Sequence, residues 1–202
     1  MGKSARHCLI AALIGVLLAL LTAEALLARF DPLGFVYFRD QAYLSAQMIP
    51  DPRGYNFRPG TYPLSFALTI LPDGTRAVPD TGPAAVTLVF IGDSVTFGYG
   101  VDDDQTWVNL IARTLPGVHV INAGVSGYNS TNVARTVAQF PDADALVYLI
   151  VNNDAEPEKL PDFDHPRSSE QPSWLALYLL NLPEYLSPIS AEAEIRRGDI
   201  AR

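Results

Sequence analysis

The chain has 202 residues, 49% of them hydrophobic, a single cysteine and a formal net charge of −8. That length holds one domain with a real core, not two ordinary domains plus a tail, and the apolar content is globular rather than disordered. The acidic balance argues against nonspecific nucleic-acid binding, no basic stripe, zinc-finger spacing or RNA-binding signature is present, and the lone Cys8 excludes an intrachain disulfide and a cysteine-based metal cluster.

Residues 1–30 read as a targeting or anchoring segment. Lys3, Arg6 and His7 precede an unbroken apolar run over 8–22, and after Ala23-Glu24 the chain is apolar again over 25–28. Two readings compete. One is a secretory signal peptide with Ala23-Glu24-Ala25 as its small-x-small cleavage site. The other, which we favour, is an uncleaved signal anchor, a transmembrane helix of about 20 residues. Either exports the remainder. The basic end stays inside, so the bulk is expected to face the periplasm or cell exterior, secreted if the N-terminus is removed. A buried core helix fits less well, because the run has no polar face. Cys8 lies inside the run and reads as a small hydrophobe.

Residues 31–83 form a connecting segment rich in Pro, Gly, Tyr and Asp. Asp31-Pro32, Pro50-Asp51-Pro52, Pro72-Asp73-Gly74 and Pro79-Asp80 are turn signals. Apolar residues alternate over 62–70, which predicts one strand closed by a turn at 72–76. The stretch 53–77 is therefore expected to be a small β ribbon or extended arm packed on the domain. The aromatics Phe35, Tyr37, Phe38 and Tyr43 suit either a membrane interface or internal packing.

Residues 84–202 carry an α/β pattern. The run Val86–Ile91 is apolar, β-branched and bounded by Gly92-Asp93-Ser94, as expected of a strand buried on both faces. Ser94 stands just past its carboxyl end, where open α/β sheets place ligands. It suits a nucleophile, and equally a helix N-cap. Residues 95–100 read as a loop. Asp102-Asp103-Asp104 precede a helix marked by Trp107, Leu110, Ile111 and Leu115 and ended by Pro116-Gly117; they fit capping and solvation better than a metal site. Val118–Asn122 is a second strand, running into Ala123-Gly124-Val125-Ser126-Gly127. Residues 130–140 read as a helix, and 144–151 as a third strand ending at Asn152-Asn153-Asp154. Strands alternating with helices imply a doubly wound parallel sheet with right-handed crossovers. The loops carrying Ser94, Gly127 and Asn153 then emerge at one sheet edge.

Gly92-Asp93-Ser94-Val95-Thr96-Phe97-Gly98 resembles the first motif of the SGNH, or GDSL-like, hydrolases, and two further stretches match in order. The resemblance implies a three-layer α/β/α, flavodoxin-like fold and a serine esterase or acylhydrolase. Ser94 would be the nucleophile, and Ser94 N–H, Gly127 N–H and the Asn153 amide would form the oxyanion hole. The family often has glycine two positions before its third-motif asparagine; here that position is Val151, which leaves Asn152 as the competing match. No metal and no organic cofactor is required. The substrate would be an acyl or acetyl ester on a small molecule, lipid or glycan.

A serine hydroxyl needs a base. The family carries Asp-x-x-His late in its chain, after a further strand and helix. Asp162-Phe163-Asp164-His165 matches literally but follows Asn153 after only a short Pro-rich loop, where a solvated turn also fits. His119 lies within the second strand and His7 before the apolar run. Residues 174–182 read as an apolar helix broken by Pro183 and Pro188, and 191–202 as polar and helix-prone. The domain therefore reads as incomplete at its C-terminus, either truncated or degenerate. Two rivals remain: a non-catalytic glycan- or acyl-binding module of the same fold, and a polysaccharide O-acyltransferase in which a sugar hydroxyl replaces water.

Overall fold

The structure, a computed structural model, describes residues 3–80, 82–163 and 173–186. Asp164, His165 and the polar stretch over 191–202 lie outside the described residues. The chain divides into two compact units, residues 1–39 with 170–202, and residues 40–169.

In the first unit, α1 (Lys3–Phe30) is one uninterrupted helix of 28 residues. At 1.5 Å per residue it is about 42 Å long, more than a bilayer's hydrocarbon core requires. Within Ser4–Phe30 an 18-residue window reaches a mean hydropathy of 2.5, so the helix is long and apolar enough to cross a membrane. Asp31, at φ +33°, ends the helix. Its carboxylate accepts the N–H groups of Phe35 and Val36 and so opens α2 (Val36–Ala46). The connecting segment thus contains a helix that its turn signals did not reveal. Phe35 and Phe38 pack with Leu177 and Tyr178 of a late helix, Trp174–Tyr185, so these aromatics pack internally. Pro183 sits within that late helix instead of breaking it.

The second unit begins with two antiparallel hairpins, β1 (Met48–Asp51) with β2 (Gly54–Phe57), and β3 (Gly60–Pro63) with β4 (Ala67–Ile70). The expected single strand over 62–70 is therefore two. The alternation of side chains survives the reversal, but the buried Asp40 carboxylate takes both the N–H and the hydroxyl of Ser65 and folds the chain back there. The turn at 72–76 is present: Gly74 has φ +80°, and Leu71 and Thr75 close it.

Three parallel strands follow, β5 (Val86–Ile91), β6 (Val118–Asn122) and β7 (Ala145–Tyr148), in the order β6-β5-β7. The first strand is central, and the chain goes to one side of it and then returns to the other. Successive side chains of a strand point to opposite faces. Phe90 and Leu88 pack with Val108 and Ala112 of α4 (Trp107–Ala112). Val89 and Ile91 pack with Val133 of α5 (Ser130–Val137). Between β5 and α4, the expected loop contains a short helix, α3 (Ser94–Phe97), capped by Asp93 at its start and by Gly98, at φ +82°, at its end. The late helix of the first unit is α6 (Trp174–Tyr185).

The hairpins are joined to the sheet rather than loose. Arg76 bridges to Asn122 at the end of β6, its N–H donating to the Asn122 carbonyl at 3.0 Å. Leu44, Tyr55, Phe57, Tyr62, Leu68, Phe97 and Tyr128 form one buried cluster, so the preceding segment and the sheet's carboxyl-end loops share a core.

Candidate active site

All three strands are parallel, so their carboxyl ends lie at one edge. Ser94 is three residues past β5, Gly127 five past β6, and Asn153 five past β7. The ladder continues past the strands towards Ser94 from both sides: Val125 N–H donates to the Gly92 carbonyl at 3.1 Å, and Leu149 N–H to the Ile91 carbonyl at 3.2 Å. The loops bearing the three candidates therefore flank the strand end that carries the serine.

Ser94 is half-buried, and its hydroxyl donates to Asp93 Oδ2 at 3.3 Å. Asp93 Oδ1 accepts from Val95 N at 2.9 Å, so the N-cap belongs to Asp93 and the Ser94 side chain is left outside that role. The N-cap reading of the serine is thereby removed.

The helix bearing Ser94 is held on several sides. Trp107 Nε1 donates to the Val95 carbonyl at 2.9 Å. Gly124 lies so close that a Cβ there would stand 2.4 Å from Phe97 N and 2.7 Å from the Thr96 carbonyl carbon. Arg76, 1% exposed, donates from Nη1 to the carbonyls of Phe97 and Gly98 at 2.8 and 2.6 Å. Its Nη2 reaches the carbonyls of Ala67 and Val101 at 3.1 and 2.6 Å, and its Nε reaches Asp103 Oδ1 at 2.8 Å. Burial pushes this guanidinium below its ordinary pKa, and the hydrogen bond and charge of Asp103 draw it back. Holding a reactive group on packed, fully bonded neighbours is what preorganisation requires.

The acidic run at 102–104 is thereby corrected. Asp103 pairs with Arg76, Asp102 Oδ1 accepts the Ala67 N–H at 2.7 Å, and the N-cap of α4 is Thr106. Asp102 and Asp103 thus bind the segment before the sheet rather than capping α4, while Asp104 is solvent-exposed as expected, beside Arg113.

Gly127 is exposed at φ +88°, a left-handed conformation that suits glycine. Its loop is held by Tyr55, whose hydroxyl donates to the Ser126 carbonyl at 3.0 Å, while the Tyr128 hydroxyl donates to the Tyr55 carbonyl at 2.5 Å. Burial raises the pKa of both tyrosines, and in Tyr55 the charges of Glu158 and Asp93 add to that. Asn152 and Asn153 lie in a 3₁₀ turn; Asn152 is exposed, Asn153 half-buried. The buried Asp154 fixes the turn, its Oδ2 accepting the Val151 N–H at 2.5 Å.

A cavity of about 660 Å³ opens beside Gly127 and Ser126. Leu44, Met48, Tyr55, Phe57 and Tyr99 give it apolar walls, and Lys159 and Asp162 stand among its polar lining. Asp162 is thus placed at the cavity, while its expected partner His165 lies outside the described residues. His119 is exposed near the start of β6, at the opposite end of the strand from the Gly127 loop. Arg76, Tyr55 and Gly124 were not singled out from sequence. A weak signal existed: one arginine in a turn ahead of the domain, and three aspartates with no basic neighbour.

The unit is a parallel α/β sheet with Ser94 past the central strand's carboxyl end, between the loops that carry Gly127 and Asn153. Residues 90–189 match the GDSL-like Lipase/Acylhydrolase family. This stretch of the chain belongs to that family of SGNH/GDSL-like hydrolases. No curated protein matches the chain.

Proposed function

We propose that the chain is a membrane-tethered serine esterase or acylhydrolase, its domain facing the periplasm or exterior, with Ser94 as nucleophile. Attack of the Ser94 hydroxyl on an ester carbonyl forms a tetrahedral oxyanion and then an acyl-serine, releasing the alcohol; water completes the cycle. The N–H groups of Ser94 and Gly127 and the Asn153 amide are the donors assigned to the oxyanion. The observation that carries this reading is the strand order β6-β5-β7, which brings those three loops to one edge. The doubly wound, three-layer form of the fold belongs to the same proposal. Its support is that α4 and α5 pack against alternate residues of β5. The cavity beside Gly127 supports an acyl group as the part of the substrate that is gripped, its apolar walls suiting a chain and its rim an ester of a lipid or glycan.

Hydrolysis of a short-chain aryl ester by the full chain, lost in Ser94→Ala, tests the proposal. Equal rates in the two proteins would overturn it. A non-catalytic binding module is favoured by one observation: among the described residues, the histidine of this unit stands at the wrong end of β6. Glycan or acyl binding without turnover, unchanged by His165→Ala, is its signature. Product analysis with an acceptor sugar present separates hydrolysis from acyl transfer.

A further inference from the structure

Glu24 is the one acidic residue in α1, and it sits in the middle of the possible cleavage motif Ala23-Glu24-Ala25. Its carboxylate is used within the first unit. Oε1 accepts the N–H of Trp174 at 2.7 Å, and Oε2 the N–H of Leu175 at 2.8 Å. Ser173 Oγ accepts the Ala176 N–H, so the opening N–H groups of α6 are satisfied. Helix starts carry unpaired donors and a partial positive charge, and a carboxylate answers both. Further along, Leu177 and Tyr178 are buried against Phe35, Leu27 and Leu33, and the Tyr178 hydroxyl donates to Asp31 Oδ1 at 2.6 Å. The helix therefore lies against the C-terminal part of α1, from Glu24 to Asp31.

Among the described residues of α6, Leu179 is 66% exposed and Leu180 73% exposed; on α1, Leu26 is 52% and Phe30 67% exposed. The amide of Asn181 is turned inward onto the Leu177 carbonyl. A short apolar helix of this length is a core helix, a signal segment or an interfacial segment. One side of α6 is buried, but the exposure of Leu179 and Leu180 on the other favours the third.

We infer that α1 is retained uncleaved, and that α6 docks beside it into the lipid interface, making a two-helix anchor with one continuous apolar face. This inference rests on the tether in the proposed function and not on its catalysis. Removal of residues 1–25 would strip α6 of its Glu24 cap and of part of the surface it packs on. The occupant is lipid because Leu179 and Leu180 stand exposed on a helix that packs against a span long and apolar enough to cross a membrane. Trp174, only partly buried at the start of α6, is a residue type that settles at membrane interfaces.

The test uses the full chain carrying Cys8→Ser with a single nitroxide-labelled cysteine at Leu13, Leu179 or Leu180, in phosphatidylcholine–phosphatidylglycerol bilayers. Collisions with oxygen, which partitions into lipid, are expected to exceed those with an aqueous nickel chelate several-fold at all three positions. Intact mass of the chain recovered from membranes is expected to include residues 1–25. Lipid exposure at Leu13 with nickel access at Leu179 and Leu180 would overturn the docking, as would both positions being shielded from both reagents by protein. Nickel access at Leu13 itself would overturn the tether and this inference with it, and a mass lacking residues 1–25 would overturn retention. None of these readings depends on esterase activity.

Discussion

The Arg76 guanidinium donates to the Gly98 carbonyl at 2.6 Å, joining a ribbon that precedes the α/β sheet to the cap of the helix that bears Ser94. With its four other hydrogen bonds, this buried cation closes the loop over Phe97, Gly98 and Val101 against Ala67 and Asp103. The segment before the sheet is thus part of the site's framework.

Arg76→Ala removes a buried cation and leaves several carbonyls and Asp103 without their donor. Loss of one partner of a buried pair costs about 3–5 kcal/mol, and we expect a loss of that order in denaturant unfolding. Arg76→Lys keeps the charge but not the planar fork, and should recover only part of the stability. A thermal midpoint unchanged in Arg76→Ala would contradict the clamp.

The two glycines of the second motif should behave differently. At Gly124 a Cβ would stand 2.4 Å from Phe97 N, so Gly124→Ala must displace α3. Overpacking of this kind costs about 1–3 kcal/mol and should also depress ester turnover. At Gly127 the contact is the Tyr55 hydroxyl, at 2.7 Å, and the strain comes from φ +88°. Gly127→Ala should lose about 1 kcal/mol of stability, with a larger proportional loss in kcat than in KM. Chemical denaturation alongside steady-state kinetics separates the two.

Tyr55→Phe deletes the hydrogen bond to the Ser126 carbonyl while keeping the ring packed edge-on against Tyr128. A single hydrogen bond contributes about 1 kcal/mol. The unfolding midpoint should fall slightly and turnover more clearly, since the Gly127 loop loses its nearest tether. Unaltered turnover at full stability would show that the tether does not matter to the site.

Buried tyrosines should make the second unit labile to alkali. Burial pushes the Tyr62 hydroxyl up to about 12, with the charge of Tyr43 adding and that of Arg58 opposing, and raises Tyr55 and Tyr128 as well. The unfolded chain releases these protons near 10, before the folded one does. Their contribution is therefore complete below about pH 10 and is lost as pH rises towards and through the folded values. Tyrosinate absorbance should appear together with unfolding above about pH 10. Ionisation of all nine tyrosines near pH 10 with the fold intact would contradict the burial.

The parallel strands were legible because Val86–Ile91 and Val118–Asn122 are short, β-branched, mostly apolar stretches between turn residues, although Val86 and His119 at their starts are exposed. The positions of Ser94 and Gly127 past strand ends were legible for a related reason: each follows such a stretch at a turn. The helix α2 was not, because its first turn is organised by Asp31, a residue that looked like an ordinary turn aspartate. The β3–β4 reversal was hidden because its cause, Asp40, lies 25 residues away. Arg76 left only a weak signal, for a deeper reason. Four of its five hydrogen bonds end on backbone carbonyls, which leave no trace in side-chain pattern.

The most direct measurement is covalent: incubate the full chain with a fluorophosphonate and map the adduct by peptide mass. We expect one phosphonyl group, on the peptide containing Ser94, with loss of ester hydrolysis in step with its formation. Hydrolysis that persists while Ser94 is fully modified, or an adduct on another serine that tracks the loss of activity, would contradict the assignment of Ser94 as nucleophile.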